Sequence, residues 1–423
     1  MTRRPRPSGA PRRWTERDAE TYLLGLELFG MRFGLDRMRR LLVALGEPQQ
    51  RFGTVHVVGT NGKSSTVRMI AAILRAHGLR TGAYLSPHLV SFTERVRIDD
   101  RDLTPDAFAE AVRRAAAAAA KVDRTLPPDD RVTQFEALTA AAFTAMAEAG
   151  VDVGVIEAGL GGRWDATNVI DSRVAVLTNV GLEHTRWLGP TVRDIAREKL
   201  AVVRPGATLV VGADLHPDAL DEARKLDATL IEAPADAPGV DLLARGAFQR
   251  RNFALARAAA EAYLGELDPE RVAAAAAATR VPGRFERISD DPPTYLDGAH
   301  NPGGMAALAD ALRDELAGRP LTLVLSILDD KDAGAMLGEV VPLAARVVAT
   351  SNANPRALSP ATLQSLAEQV GAREVRSEAD PRRALALARE LAAQEDGAVL
   401  VTGSIYLIAD LLRTDRSRPG SML

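Results

Sequence analysis

The chain has no cysteine among its 423 residues. That excludes disulfides, a thiolate nucleophile and thiolate-bound metal, so any metal must sit on oxygen and nitrogen ligands. No apolar run is long enough to span a bilayer. The basic, Pro-rich start (MTRRPRPSGAPRRW) lacks the apolar core of a signal peptide. It reads as a disordered tail over 1–14, and the protein as cytoplasmic. Net charge is only −3, which gives no general attraction to nucleic acid or to an anionic membrane. No internal repeat is visible. What is present is ordinary for a globular chain, 46% hydrophobic and 26% charged, and its length exceeds what one core serves well. Two or more domains are expected.

The most informative stretch is TVHVVGTNGKSSTVRMIAAILRAH, residues 54–77. Residues 54–58 form a short run that is β-branched apart from His56, as suits a buried strand. Gly59, Thr60, Asn61 and Gly62 form a turn free of bulky side chains. Lys63, Ser64 and Ser65 open a helix whose apolar face is Val67, Ile70, Ala71 and Leu74, and Gly78 ends it. Such a turn captures anions: glycines let backbone N–H groups approach a phosphate, and the helix N-terminus adds donors and partial positive charge. Lys63 would reach the terminal phosphates, with a neighbouring hydroxyl on Mg²⁺. The spacing is short, with two residues rather than four between Gly59 and the Gly-Lys pair.

Helical patterns cover 15–47, where Tyr22, Leu23, Leu26, Leu28 and Phe29 form one apolar cluster. Strand and helix then alternate, with strands near 151–156, 174–178, 208–211 and 229–231. Breaks at Val281-Pro282-Gly283-Arg284 and Asp290-Asp291-Pro292-Pro293 mark a domain boundary. Alternation resumes with strands at 294–296, 321–325, 346–349, 374–376 and 398–401. The pattern predicts α/β architecture: an N-terminal P-loop ATPase-type parallel-sheet domain over 15–283, a linker at 284–293, and a smaller Rossmann-like α/β domain over 294–423.

Ligands of open parallel sheets bind at the carboxyl ends of strands. The polar residues there are Gly59 to Ser65, Glu157 before a glycine-rich turn, then Asn179, Glu183 and His184, then Asp297 and His300, and last Ser404. Glu157 fits an acid that holds phosphate-bound Mg²⁺. His184 by itself suits a metal ligand or a loop cap. His56, inside the first strand, reads as a packing residue. His88 is open between roles, Trp164 and Trp187 between packing and substrate wall, and Lys199 by pattern alone is a surface lysine.

These motifs together resemble a known family. GTNGK at 59–63, LSPHLVSFTERV at 85–96, EAGLGGRWDATNV at 157–169, LEHTRWLG at 182–189, REK at 197–199, VPGRFE at 281–286, DGAHNP at 297–302 and TGSIYL at 402–407 resemble folylpolyglutamate synthase/dihydrofolate synthase. The wider group is the Mur-ligase superfamily. The resemblance implies an ATP-dependent, ADP-forming ligase that phosphorylates a folate or dihydropteroate carboxylate and lets L-glutamate attack the acyl phosphate. It implies that Gly59, Thr60, Asn61, Gly62, Lys63, Ser64 and Ser65 cradle the triphosphate, with Asn252, Arg284 and Asp297 on the nucleotide. Glu157, His184 and Ser86 would hold two Mg²⁺ together with Ser64 or Ser65, and K⁺ would activate. Lys199 matches a lysine carbamylated in much of the superfamily. Ser86, Pro87, His88, Asp165, His300 and Ser404 would face the substrates, with Lys63, Lys199 and His300 catalytic. A monomer is implied. One residue departs from the pattern: Ser64 stands where this family usually has glycine.

Two other readings compete. Another Mur-type ligase acting on a cell-wall precursor is disfavoured by the SPHLVSFTER and DGAHNP motifs. A nucleotide switch is disfavoured because Thr178-Asn179-Val180-Gly181 does not fit a guanine-reading Asn-Lys-x-Asp.

Overall fold

The computed structural model describes residues 13–27 and 34–413. Most of the expected N-terminal tail, and Leu28 and Phe29 of the first apolar cluster, lie outside the described residues. The other clustered side chains do pack, with Leu23 fully buried on the helix Glu16–Leu24.

The first sheet comprises β1 (Gly53–Val58), β2 (Thr81–Tyr84), β3 (Val96–Ile98), β4 (Arg101–Asp102), β5 (Val153–Glu157), β6 (Val174–Leu177), β7 (Thr208–Gly212) and β8 (Thr229–Ala233). Its order is β4-β3-β2-β5-β1-β6-β7-β8, with parallel pairing from β2 through β8. Side chains alternate between two cores. Val55, Val57, Val153 and Val155 pack under the helices Lys63–Ala76 and Ala247–Leu264, while Ile156 and Tyr84 pack under Pro105–Asp123 and Gln134–Ala149. A sheet covered on both faces needs the apolar runs that made these strands legible. His56 lies fully buried within β1, 2.8 Å from Thr167 Oγ1, and burial pushes its pKa down to about 3. It is a neutral packing residue.

The second sheet comprises β9 (Glu286–Asp290), β10 (Pro293–Leu296), β11 (Leu321–Leu325), β12 (Arg346–Ala349), β13 (Val375–Ser377) and β14 (Ala398–Thr402), in the order β13-β12-β11-β14-β10-β9. The parallel cores match the expected alternation, and both sheets add antiparallel edges. After β2 the chain folds back as β3 and β4, each pairing antiparallel with the strand before it. The segment expected as a linker, 284–293, supplies β9, which pairs antiparallel with β10. Edge strands are exposed on one side, so their polar sequences carry no buried-strand signature.

Alternation in a parallel sheet places a crevice where the strand order reverses. Here that point is β1, with β5 on one side and β6 on the other. The second sheet closes over this crevice. Leu89 packs into the same core as Leu296, Leu407 and Ile408. The chain passes between the sheets through Gly283 and Phe285, both at positive φ. Phe285 keeps that conformation because its N–H donates to Asp297 Oδ2 at 2.8 Å and its ring stacks on Tyr295.

Among the described residues, no helix is long and apolar enough to cross a membrane. Phe253 is fully buried on Ala247–Leu264, the helix that packs on the phosphate-loop helix. Phe253→Ala is expected to lower stability by about 3–5 kcal/mol through lost burial and a residual cavity. Urea unfolding followed by circular dichroism measures this, and an unchanged midpoint would show that the helix is not anchored there.

Candidate active site

A cavity of about 620 Å³ lies between the carboxyl ends of the two sheets. Its floor is the phosphate loop. Gly59 has φ +153°, and a Cβ there would come within 1.8 Å of Thr178 Oγ1, so only glycine fits. The loop is tied to the tip of β6. Thr60 N–H donates to Asn179 O at 3.0 Å, Asn61 N–H to Asn179 Oδ1 at 2.9 Å, and the Thr178 hydroxyl to Asn61 O at 2.6 Å. Gly62, at φ +81°, caps the helix Lys63–Ala76 and lies against the Asn252 side chain. The first turn of that helix then presents unpaired N–H groups to the cavity.

Lys63 Nζ donates to Gly59 O and to Thr60 O, each at 3.1 Å. Lys199 Nζ donates to the same Gly59 O at 2.8 Å. The pattern reading of Lys199 as a surface residue does not hold, because it is buried. Burial, reinforced by Lys63, lowers its pKa to about 7. The glycine-rich turn after β5 makes this position possible. A Cβ on Gly162 would sit 2.6 Å from the carbonyl oxygens of Glu198 and Lys199, so glycine lets the turn lie directly on the Lys199 helix.

Glu157 ends β5 beside the loop. Its Oε1 accepts from the Ser64 hydroxyl at 3.0 Å and its Oε2 from Ser86 N–H at 3.1 Å. Burial raises its pKa. Ser65 and His184 line the same cavity. His184 sits at φ +52° before a short helix; burial, with Lys331 and Lys63, holds its pKa near 4 against the pull of Glu183. Among the described residues no three His, Asp or Glu side chains converge as a metal cage. A carboxylate, a hydroxyl and an imidazole around a phosphate loop instead suit Mg²⁺, which takes few protein ligands and completes its shell with phosphate oxygens and water.

The second sheet supplies the opposite wall. Asp297 follows β10 and staples the turn, accepting from Phe285 N–H at 2.8 Å and Ala299 N–H at 2.7 Å. Burial raises its pKa to about 6, opposed by Arg284. His300 Nδ1 lies 2.8 Å from Gly298 O, and its Nε2 faces Glu183 Oε1 at 3.5 Å. Glu183 Oε1 also lies 3.4 Å from Lys331 Nζ. Burial works the other way, yet His300, Lys331 and His184 hold the Glu183 pKa near 2. Ser404 is buried and caps the helix Ile405–Leu412.

The cavity lining also includes the aromatic residues Phe135, Trp164 and Trp187. Asp165 lies there, but its oxygens are engaged by Leu160 N–H at 2.8 Å and by the backbone and hydroxyl of Thr167. It braces the glycine-rich turn.

The structure thus gathers Gly59 to Ser65, Ser86, Pro87, Glu157, Asp165, His184, Lys199, Asn252, Arg284, Asp297, His300 and Ser404 on one cavity. It does not bring His88 there. His88 is buried, accepts from Arg95 Nε at 2.9 Å and lies tilted against the Phe92 ring, 4.3 Å between centroids. A buried guanidinium needs an acceptor, and His88 provides it. Sequence reasoning missed Phe135, Lys331 and the partner roles of Asn179 and Asn301. Asn179 and Asn301 fall in segments already singled out at strand tips; Phe135 and Lys331 carry no local signal.

Residues 57–237 match the Mur ligase middle domain, and residues 283–405 match the Mur ligase glutamate ligase domain. The dihydrofolate synthase/folylpolyglutamate synthase of Mycobacterium tuberculosis is 35% identical over 88% of this chain and 88% of its own length. The solved structure of the Mycobacterium tuberculosis folylpolyglutamate synthase complexed with ADP superposes with a TM-score of 0.87 at 34% identity, covering 96% of this chain and 99% of that one. The bifunctional folylpolyglutamate synthase/dihydrofolate synthase of Yersinia pestis, solved with AMPPNP and a Mn ion, gives 0.84 at 29% identity over 96% and 99%. The phosphate loop facing DGAHNP across one cavity agrees with these likenesses, and the chain belongs to the dihydrofolate synthase/folylpolyglutamate synthase family of Mur ligases.

Proposed function

We propose that this protein joins L-glutamate to the carboxylate of a folate, of dihydropteroate, or of both, using ATP. The observation that carries the reading is the placement of Lys63, Lys199 and Glu157 opposite Asp297 and His300 on a single cavity, in a chain of this family. A carboxylate is a poor electrophile. Its oxygen attacks the terminal phosphorus of ATP, ADP leaves, and the acyl phosphate that results has phosphate as a good leaving group. The glutamate nitrogen then attacks the acyl carbon, the amide forms and phosphate departs with the carboxylate's oxygen.

Each step asks for positioning and charge neutralisation. The first turn of Lys63–Ala76 and the Lys63 ammonium meet the triphosphate. Asn252 faces the base, Arg284 the phosphates and Asp297 the ribose. The aromatic lining residues, Phe135 and Trp164 among them, suit a flat pterin. Ser64, Glu157 and His184 would hold Mg²⁺, with Ser65 and Ser86 as further oxygen donors; the ion would neutralise phosphate charge. Of the two serines after Lys63, Ser64 is favoured because its hydroxyl already meets Glu157.

His300 is suited to take the proton that the attacking amine sheds. Its Nδ1–H, assigned from the bond to Gly298 O, leaves Nε2 as an acceptor. Burial lowers its pKa, so the neutral form prevails, and Glu183 steadies the imidazolium once formed. Lys199 is suited to carbamylation: its neutral nitrogen adds to CO₂ and releases a proton, giving an anion beside the loop. A lysine of ordinary pKa near 10.5 has few neutral amines at neutral pH, whereas one at about 7 has many.

Phosphate release from ATP should require both L-glutamate and either dihydropteroate or a reduced folate. Turnover with neither acceptor ends the folate reading. Lys63→Ala should lower turnover by roughly a hundredfold to a thousandfold in a protein with unchanged circular dichroism; activity near that of the unmodified protein would remove Lys63 from the mechanism. With ¹³C-bicarbonate, a carbamate resonance should rise as pH increases through about 7, because the ammonium form cannot add CO₂, and it should vanish in Lys199→Arg. A resonance unaffected by that substitution would exclude Lys199.

A further inference from the structure

The phosphate loop and the second sheet meet through one reciprocal side-chain pair. Asn61 Nδ2 donates to Asn301 Oδ1 at 3.1 Å, and Asn301 Nδ2 donates to Asn61 Oδ1 at 2.9 Å. The two residues are 240 positions apart. Both are fixed from behind. The Asn61 main chain is tied to β6 through Asn179 Oδ1 and the Thr178 hydroxyl, which leaves its side chain to project across the gap. Asn301 caps the helix Pro302–Leu316, its Oδ1 also accepting from Gly304 N–H at 2.8 Å. Two amides satisfy each other's donor and acceptor in only a narrow range of relative positions, so the pair sets the placement of one sheet against the other.

We propose that Asn61 and Asn301 are positioning residues whose reciprocal amide pair registers the phosphate loop against the wall that carries His300 in the reactive arrangement. This rests on the ligase reading above. The motif gives Asn61 to the nucleotide; its main-chain N–H is committed to Asn179, and its side chain serves the other sheet. His300 precedes Asn301 directly, so the same registration sets where its Nε2 lies relative to Glu183. The donors that meet the triphosphate, in the first turn of Lys63–Ala76 and on Lys63, do not depend on the pair. Losing it should therefore slow the reaction without weakening nucleotide binding.

Asn301→Ser separates this role from helix capping, because serine remains a good N-cap but is too short to reach Asn61. Asn61→Ala removes the other half. Each substitution should lower kcat about tenfold, the loss of two neutral hydrogen bonds, while KM for ATP stays within about twofold. The double variant should be no slower than either single one, and Asn301→Ser should remain fully folded at the assay temperature. Additive losses, a loss confined to KM for ATP, or a fall in Tm that accounts for the loss of activity in Asn301→Ser would overturn the proposal. If the unmodified protein ligates glutamate to no folate acceptor, the ligase reading fails and small-angle scattering decides the pair. A compaction on adding AMPPNP with Mg²⁺ that both single variants lose equally supports it; equal compaction in all four proteins overturns it.

Discussion

The carbonyl oxygen of Gly59 accepts from two lysines, Lys63 and Lys199, and most of the site follows from that convergence. Only glycine can place the oxygen there, since Thr178 fills the space a side chain would need. Burial, with the neighbouring Lys63 charge, lowers the pKa of Lys199 to about 7. Glu157, held by Ser64 and Ser86, brings a carboxylate to the same loop. Gly162 then lets the following turn press on the Lys199 helix. One backbone conformation therefore sets the positions of a cation, a reactive amine and an acid.

The second sheet completes this half-site by contact. Asn301 meets Asn61, and Glu183 from the first sheet is held between His300 and Lys331 from the second. Bonds of this kind are worth little singly when exposed, but more when shielded by neighbouring residues. The hinge is correspondingly specific. Phe285 adopts a conformation uncommon for a bulky residue, kept by Asp297 and Tyr295. Asp297 thereby serves both the turn and the cavity wall.

Much of this was legible in the chain. The loop 59–65 announces itself through glycine spacing, and β1, β5, β6, β11 and β14 through apolar runs buried on both faces. The motifs place Glu157, His184, Asp297 and His300 at strand tips, where the fold puts them. The misses share one feature: a contact that forms only in the folded chain decides the residue's role, and local pattern does not show it. Glu286–Asp290 reads as linker because an edge strand needs few apolar residues, and only its pairing with β10 makes it a strand. His88 sits in a motif beside the site yet turns inward to accept from Arg95. Lys331 is one lysine in a polar turn until the fold sets it against Glu183, 148 positions away. Asp165 lines the cavity, and its engagement by Leu160 and Thr167 appears only once the turn has closed.

The central claim is chemical: the cavity makes a carboxylate electrophilic by phosphorylating it before the amine arrives. The most direct measurement follows oxygen-18 from the labelled carboxylate of the acceptor through a single turnover with ATP and L-glutamate. An acyl phosphate predicts one labelled oxygen in each phosphate released. Unlabelled phosphate, with both labelled oxygens absent from it, would contradict the account.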